Sequence, residues 1–591
     1  MDYSEKPKVS GSAIVVTLAV LLFGCIIVGV LLFPRISQML QGTTANTPAA
    51  DATAAPPANS IAIEVSSSNT KEDWMNAVVA QFNAEQQKVA SGDAIFVTVK
   101  HVTSGGSQQA ILNGTSQPVV WSPGDQSWID EANTIWRDRN GKLLIPNACE
   151  SSVLAPIGFA MWRPMAEALG WPDTPISWDD IAALSANAQG WESLGHPEWG
   201  QFKFGHTHPD YSNVGLLAMT ALTYSTLGKT EGLTPDEVYS EAVVEAFRGV
   251  EQNTYHYGIQ SRPLMQILAQ RGPEYLHAVT TSEAETLKTN AEFASSLRYP
   301  LVFIFPSKGT FWSEQPYCIL DAEWVSPDQK EAAEIFKNYL LDRNQQELAI
   351  THYLRPVDSS IPLHAPLTLE DGTDPRVTTD AVPALQSPSA EVSSAVKDVF
   401  HQTKKKSTIV LLLDISGSME GDKMKSAISS SVTFVERLDP NDEINLMVFG
   451  GDGEVYELGG GRAGDIGEEL TKTLNGLFAN GNTPLYDGVC SAAQKMDALK
   501  TAHEANNEKR LYGIVVLSDG QDTSSGNTQN QMFNCLPSGE SVEGTKVFTI
   551  AFGEDADADL MLRIANRTNG KTFKGDPSSI ESIYNAISAE Q

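Results

Sequence analysis

Hydrophobic and polar positions divide the chain into stretches of different rhythm. The first is an uncharged run from Ala13 to Phe33, AIVVTLAVLLFGCIIVGVLLF. At 1.5 Å per residue it matches the roughly 30 Å hydrocarbon core of a bilayer, and it predicts a transmembrane helix. Pro34-Arg35-Ile36 follows where a cleavable signal would carry small residues, so an uncleaved anchor is expected. Lys6 and Lys8 precede the run, and Arg35 alone follows it before Lys71. This bias places residues 1–12 in the cytoplasm and the bulk outside, as a single-pass cell-membrane protein. Residues 34–60, rich in Ala, Thr and Pro from Gln41 onward, read as a tether.

From Ile61 the rhythm becomes strand, small-residue turn, helix. IAIEV alternates as a strand, Ser66-Ser67-Ser68-Asn69-Thr70 breaks it, and Trp74, Val78 and Phe82 recur at helical spacing. The unit repeats in outline: Ile95, Val97 and Val99 lead to Thr103-Ser104-Gly105-Gly106-Ser107, and Val119-Val120-Trp121 leads to Ser122-Pro123-Gly124. Hydroxyls and glycines therefore stand at three strand ends. In an open α/β sheet that is where ligands lie, with helix N-termini offering N–H groups to small polar or anionic solutes. The alternative for any one of these residues is an N-cap.

The last third alternates as a parallel α/β unit. Ser407 to Leu413 is a buried-strand pattern, Met424, Ile428, Val432 and Val435 share a helix face, and Ile444–Phe449, Gly513–Leu517 and Val547–Phe552 read as strands. The expected fold is α/β throughout, with a doubly wound sheet at the C-terminal end. Residues 361–404 read as a connector, weakly helical from Val392 to Phe400.

Composition narrows the function. The formal net charge is −32, a field that repels phosphate backbones, so nucleic acid is not an expected partner. No GxSxG elbow, HExxH, Walker loop or Cys-His pairing is present, and catalysis is not expected. His206 and His208, in Gly205-His206-Thr207-His208-Pro209, stand at alternate positions but lack a third ligand at zinc spacing; a turn entering a helix near Tyr211 is preferred. The tryptophans, among them Trp121, Trp162 and Trp191, read as core more than as stacking platforms.

Over about 61–360 the chain resembles the bacterial extracellular solute-binding proteins. The resemblance rests on SSSNTKEDWMNAVVAQFN, PVVWSPGDQSW, GWPDTPISWDDI, GHTHPDYSNVGLLA, FPSKGTFWSEQPYCIL and YLRPVD in that order. It implies two lobes, the first built from about 61–150 plus much of 300–360, with a small-molecule solute in the cleft between them. On residue type, Ser67, Ser68, Ser104, Ser107, Ser122, Thr207 and Ser212 are the candidate cleft donors.

Over about 405–591 the chain resembles the von Willebrand factor A domain. Asp414, Ser416 and Ser418 in Asp414-Ile415-Ser416-Gly417-Ser418 match that family's DxSxS, Thr483 matches its threonine and Asp519 its second aspartate. The resemblance implies a metal-ion-dependent adhesion site holding Mg²⁺, or Mn²⁺ or Ca²⁺. Two carboxylates neutralise a hard dication, three neutral hydroxyls leave it electrophilic, and a partner protein supplies a further carboxylate. Gly417 is expected to allow the tight turn. Asp487 and Asp522 read as neighbouring or surface acids.

With these units drawn, Cys149 and Cys318 fall in one and Cys490 and Cys535 in the other, so two intradomain disulfides are expected, against four unpaired thiols. Cys25 lies within the apolar run. The function this implies is membrane-anchored and extracytoplasmic, joining solute recognition to metal-dependent protein interaction, in a sensor or adhesion role. Alternatives are the solute-binding component of an ABC-type uptake system and the A-domain partner of an ATPase or chelatase-like assembly.

Overall fold

The computed structural model describes residues 56–57 and 60–576 except 507, 538–543, 554–555 and 569, together with 583 and 587. In chain order the strands are β1 (Ser60–Ser67), β2 (Ala94–His101), β3 (Val120–Ser122), β4 (Glu150–Ser151), β5 (Ile157–Trp162), β6 (Phe204–Thr207), β7 (Thr254–Gly258) and β8 (Ala278–Ser282). They continue with β9 (Leu301–Ile304), β10 (Pro316–Ile319), β11 (Lys406–Ile415), β12 (Glu443–Gly450), β13 (Glu454–Arg462), β14 (Arg510–Ser518), β15 (Lys546–Phe552) and β16 (Thr572–Gly575).

Three sheets result. The first lobe has the order β2-β1-β3-β10-β4, the second β7-β6-β8-β5-β9, and the C-terminal unit β13-β12-β11-β14-β15-β16. In the first lobe β1 pairs in parallel with β2 and β3, and the returning β10 runs antiparallel to β3. The chain therefore leaves this lobe after β4, builds the second, and comes back to finish the first.

The crossing segments are laced together. Ser152 Oγ donates to Gln315 O at 2.6 Å, Ala155 N to Trp312 O at 3.1 Å and Ile157 N to Phe311 O at 2.9 Å. Leu154 and Arg355 exchange backbone hydrogen bonds of 2.8 and 3.0 Å. The Arg355 guanidinium then reaches into the second lobe, where Nε and Nη2 grip both oxygens of the Glu283 carboxylate at 2.7 and 2.8 Å. Both side chains are buried, and Nη1 also donates to Val377 O at 2.7 Å.

The segment expected to be a connector is packed instead. Ile361 and Leu367 lie in a cluster with Leu287 and Ile350, Val382 packs with Phe303, Phe305 and Trp312, and Thr310 exchanges backbone hydrogen bonds with Pro383 and Leu385. A helix over Ala390–Thr403 follows, longer than its apolar pattern predicts, because Ser389 caps it and its buried face of Val392, Val396, Val399 and Phe400 rests on other helices. Lys404 and Lys405 are absorbed locally, while Lys406 is exposed: Lys405 Nζ donates to Thr254 O at 3.1 Å, and Lys404 lies 3.6 Å from Asp442.

In the C-terminal unit β11, KSTIVLLLDI, is buried on both faces. Alternate side chains serve opposite cores: Ile409, Leu411 and Leu413 face the helices Asp422–Arg437 and Ala463–Asn475, while Val410 and Leu412 face Leu485–Ala505 and Ala558–Arg567. Disulfides join Cys149 to Cys318 and Cys490 to Cys535.

One expectation is corrected. Among the described residues no helix is long and apolar enough to cross a membrane, and the run Ala13–Phe33, with Cys25, lies outside them. The transmembrane helix in the expected fold and the single-pass placement that depended on it are withdrawn. Their warrant, apolar length with the flanking Lys6, Lys8 and Arg35, shows only that a segment has the length to span, not that it does.

Two outcomes follow from this packing. Arg355→Met strands the Glu283 carboxylate and is expected to cost roughly 3–5 kcal/mol in urea unfolding, whereas the Arg355→Met/Glu283→Met double variant recovers most of the loss. Burial also holds His101 down to about 4 and His208 and His277 to about 3. The unfolded chain takes up protons at about 6.5, so these groups contribute stability that is complete above that pH and lost as pH falls toward 3. Unfolding free energy measured in steps from pH 7 to 4 should decline, and less steeply in His277→Gln; an unchanged slope removes His277 from the account.

Candidate functional site

The C-terminal sheet changes direction at β11. The chain passes from β11 to β12 on one side, then returns to place β14, β15 and β16 on the other, so the carboxyl ends of β11 and β14 flank a topological switch point. Asp414 stands at the end of β11 and Asp519 directly after β14, both 1% exposed.

Asp414 is held from two directions. Its Oδ1 accepts from Ser416 N at 2.8 Å and its Oδ2 from Ser518 Oγ at 2.6 Å. Burial pushes this carboxyl above its ordinary value, against the pull of those hydrogen bonds, and the Asp519 charge adds to the upward shift. The Ser416 and Ser418 hydroxyls lie 3.0 Å apart, and Ser418 Oγ donates to Asp519 Oδ1 at 2.7 Å. Thr483 arrives on a separate loop, locked by reciprocal 2.9 Å hydrogen bonds with Thr523. A Cβ placed on Gly520 would lie 3.7 Å from Ser418 Oγ and 3.8 Å from Thr483 Oγ1, so both hydroxyls border the same point. The five side chains singled out in the sequence thus come together.

Three further residues shape the site. Ser518 holds Asp414, and Lys423, on the helix Asp422–Arg437, places Nζ 2.6 Å from Asp519 Oδ2. The glycine that the turn demands is Gly481: at φ +73° a Cβ there would fall 1.5 Å from Gly451 O, and its carbonyl accepts from Gly417 N at 3.0 Å. Gly417 itself is not in the left-handed region. Asp487 accepts from Gly526 N and Asn527 N, and Asp522 from Tyr486 N, so both acids pin the 520–527 loop to the helix that follows Thr483.

Two buried carboxylates and three hydroxyls fit a hard divalent cation, which takes oxygen ligands and needs its charge balanced. Among the described residues no group of three or more His, Cys, Asp or Glu side chains could hold a metal, so a cation here depends on the hydroxyls. Lys423 supplies a positive charge to the same carboxylate.

The second candidate is the interlobe cleft, a cavity of about 250 Å³. Of the seven donors expected there, Ser68, Ser104 and Ser212 line it. The other four serve packing. Ser67 bonds to Ser68 O, Ser107 bridges Ser104 O and Trp121 Nε1, Thr207 donates to Ser212, and Ser122 is wholly buried. Helices beginning at Ser104, Asn213, Ser261 and Glu283 all present their N-terminal residues or caps to the cavity. Arg262, Glu285 and Lys288 were not foreseen; Lys288 pairs with Asp73 across the lobes, and Arg262 with Glu292 at 3.0 Å. Beneath Ser68 the fully buried Lys71 gives its three hydrogens to Ser68 Oγ, Ser122 O and Gln315 Oε1, and burial drives it well below its ordinary value.

The paired histidines diverge. His206 Nε2 meets the buried Glu251 carboxylate at 3.1 Å; burial alone would lower it, but that carboxylate raises it above its ordinary value. His208 packs against Phe400.

Comparison with known proteins agrees with the C-terminal geometry. Residues 408–586 match the von Willebrand factor type A domain. An uncharacterized protein of Synechocystis sp. is 25% identical over 181 residues, which span 30% of this chain and 40% of that one. Mouse inter alpha-trypsin inhibitor, heavy chain 4, is 26% identical over 166 residues, 27% of this chain and 17% of that protein. Both of these relatives are therefore matched over less than half their length. Among solved structures, the periplasmic binding protein AfuA from Actinobacillus pleuropneumoniae covers 58% of this chain and 98% of its own, at 14% identity and a TM-score of 0.38.

Gly481→Ala is expected to destabilise the C-terminal unit by roughly 1–3 kcal/mol, because strain and overlap with Gly451 O must both be relieved by moving the loop. Thermal unfolding measures it; Gly417→Ala, with 3.4 Å of room to Gly481 O, should cost less.

Proposed function

We propose that the chain is a binding protein in which a small-solute cleft is joined to a metal-dependent protein-interaction site, serving a sensor or adhesion role. The reading is carried by the meeting of Asp414, Ser416, Ser418, Thr483 and Asp519 at the ends of β11 and β14. Asp414 and Asp519 would balance a divalent cation, and the three hydroxyls would hold it without neutralising it further. The bound cation supplies an electrophilic position for a carboxylate of a partner protein. Ser518 keeps Asp414 from rotating out of place, and Lys423 stands in as counter-charge to Asp519.

The cleft supports the solute half of the reading through its four helix N-termini, Asn213 and the Arg262 and Lys288 side chains, a setting for a small polar or anionic molecule. Two disulfides favour an oxidising compartment, which weighs against an intracellular ATPase or chelatase partner.

Isothermal titration of the intact chain with Mg²⁺ and Mn²⁺ tests the first half. Saturable binding is expected, lost in Asp414→Ala and tightened in Lys423→Met, which frees one oxygen of Asp519. An isotherm indifferent to Asp414→Ala would remove the assigned ligands.

A further inference from the structure

A cavity of about 480 Å³ opens on the second lobe and shares no lining residue with the cleft. Its walls come from residues that precede β6, β8 and β9 and from those that end and follow β5. Because β6 runs parallel to β8 while β5 runs antiparallel to β8 and β9, these positions share one end of the sheet. The cleft residues Ser212, Gln260 and Glu285 follow the carboxyl ends of β6, β7 and β8 and so stand at the other end.

The charges of this cavity are already matched. Two carboxylates, Glu198 and Glu274, and two cations, Lys203 and Arg298, line it. Arg298 pairs with Glu274, Lys203 Nζ donates to Glu274 O, and Glu198 lies 3.0 Å from His196 Nδ1. At the floor, His277 Nδ1 accepts from Trp191 Nε1 at 2.9 Å and from Lys203 N at 3.1 Å, and burial holds the ring to about 3, so it is neutral near pH 7. An ion entering here gives up hydration without meeting an unbalanced opposite charge, whereas an uncharged polar molecule loses less.

Two rings are presented to the same space. Trp199 is fixed from behind: the His196 ring stacks on one face with 4.0 Å between centroids, and Trp191 meets it edge-on at 5.1 Å. Trp199 still lines the cavity, and its indole N–H is neither buried nor bonded to a described residue. Tyr299 stands at the rim, 39% exposed, with Arg298 5.6 Å from its ring centroid. With one face of Trp199 occupied, a flat ligand cannot be sandwiched there. What fits is a ring with a C–H face to lay on one π surface and hydroxyls at its edge to exchange hydrogen bonds with the paired charges.

We infer that this pole of the second lobe binds an uncharged pyranose sugar, its C–H face on Trp199, Tyr299 at its rim, and its hydroxyls shared among Glu198, Glu274, Lys203 and Arg298. A hydroxyl both donates and accepts, so it joins the Arg298–Glu274 pair without upsetting its charge balance. The site stands apart from the interlobe cleft and gives the chain a further ligand class, either a free sugar or the end of a glycan.

Glucose, galactose, mannose and N-acetylglucosamine are the probes for a free sugar, and cellotetraose and chitotetraose those for a glycan end. Each is titrated into the intact chain by calorimetry and ligand-observed NMR without divalent metal, with adenosine as a flat aromatic reference. Saturable binding of at least one sugar is expected, and whether the single ring or its tetramer binds more tightly names the source. Trp199→Ala should weaken binding roughly tenfold and Glu274→Gln several-fold, while Arg262→Met in the cleft leaves it unchanged. Should Trp199→Ala fail to fold, Tyr299→Ala, at an exposed position, is expected to weaken binding several-fold with an unaltered circular dichroism spectrum. Sugar binding lost in Arg262→Met but kept in the Trp199 and Tyr299 variants would assign the sugar to the cleft and overturn the inference. Adenosine binding without sugar binding, or no saturable binding of any probe, would overturn it as well. None of these results bears on the Mg²⁺ titration.

Discussion

A single buried carboxylate organises the C-terminal end of this molecule. Asp414 ends a strand with no exposed face, and moving a charged group there from water is favourable only when its oxygens are matched. One oxygen is taken by the backbone of its own loop at Ser416, the other by Ser518 on the neighbouring strand. That pair of contacts folds the Ser416–Ser418 turn back over the sheet and brings Ser418 to Asp519. The hydroxyl cluster is therefore a consequence of satisfying Asp414, with Thr483 added by a loop whose approach requires a glycine at 481.

In the two lobes before β11 the corresponding constraint is the crossing region. Three passages of the chain meet there, and the Arg355–Glu283 pair clamps the returning passage to the start of a second-lobe helix. The segment after it wraps the second lobe and then forms the helix Ala390–Thr403. This helix touches the first lobe through Lys397 over the Trp128 ring and the second through His401 to Asp210 at 2.9 Å and Tyr239 to Asp398 at 2.7 Å. Trp128 itself donates to Asn213, a cleft residue, at 2.7 Å. Three residues after the helix ends, β11 begins. The cleft and the strand that bears Asp414 are thus linked through one helix.

Legibility differed by the kind of residue. Asp414, Ser416, Ser418, Thr483 and Asp519 could be picked out because they match, residue by residue, the motif of the family that this part of the chain resembles, at strand and helix ends whose rhythm is plain in the chain. Lys423 could not, since a lysine in a first helical turn reads as solvated until the turn is placed over Asp519. Gly417 was credited with a conformation that belongs to Gly481, because the demand comes from Gly451, thirty residues away in sequence. Among the serines, Ser67 and Ser68 are identical by local pattern, and only the path of β1 sends one into packing and the other to the cleft. Residues 361–389 look like a connector by composition and are instead held by neighbours from other parts of the chain.

Periodicity and residue type determined the α/β character and the buried central strand, because these follow from local spacing; the oxygen donors at its end were named through the resemblance to the von Willebrand factor A domain, and the two cysteine pairs by assigning each cysteine to one of the two resembled units. Tertiary structure alone decided which hydroxyls face a cavity, which glycine bears the strain, and how the connector is seated. Those outcomes depend on contacts between residues up to hundreds of positions apart, where burial and the pairing of charges, not neighbouring sequence, determine the energy.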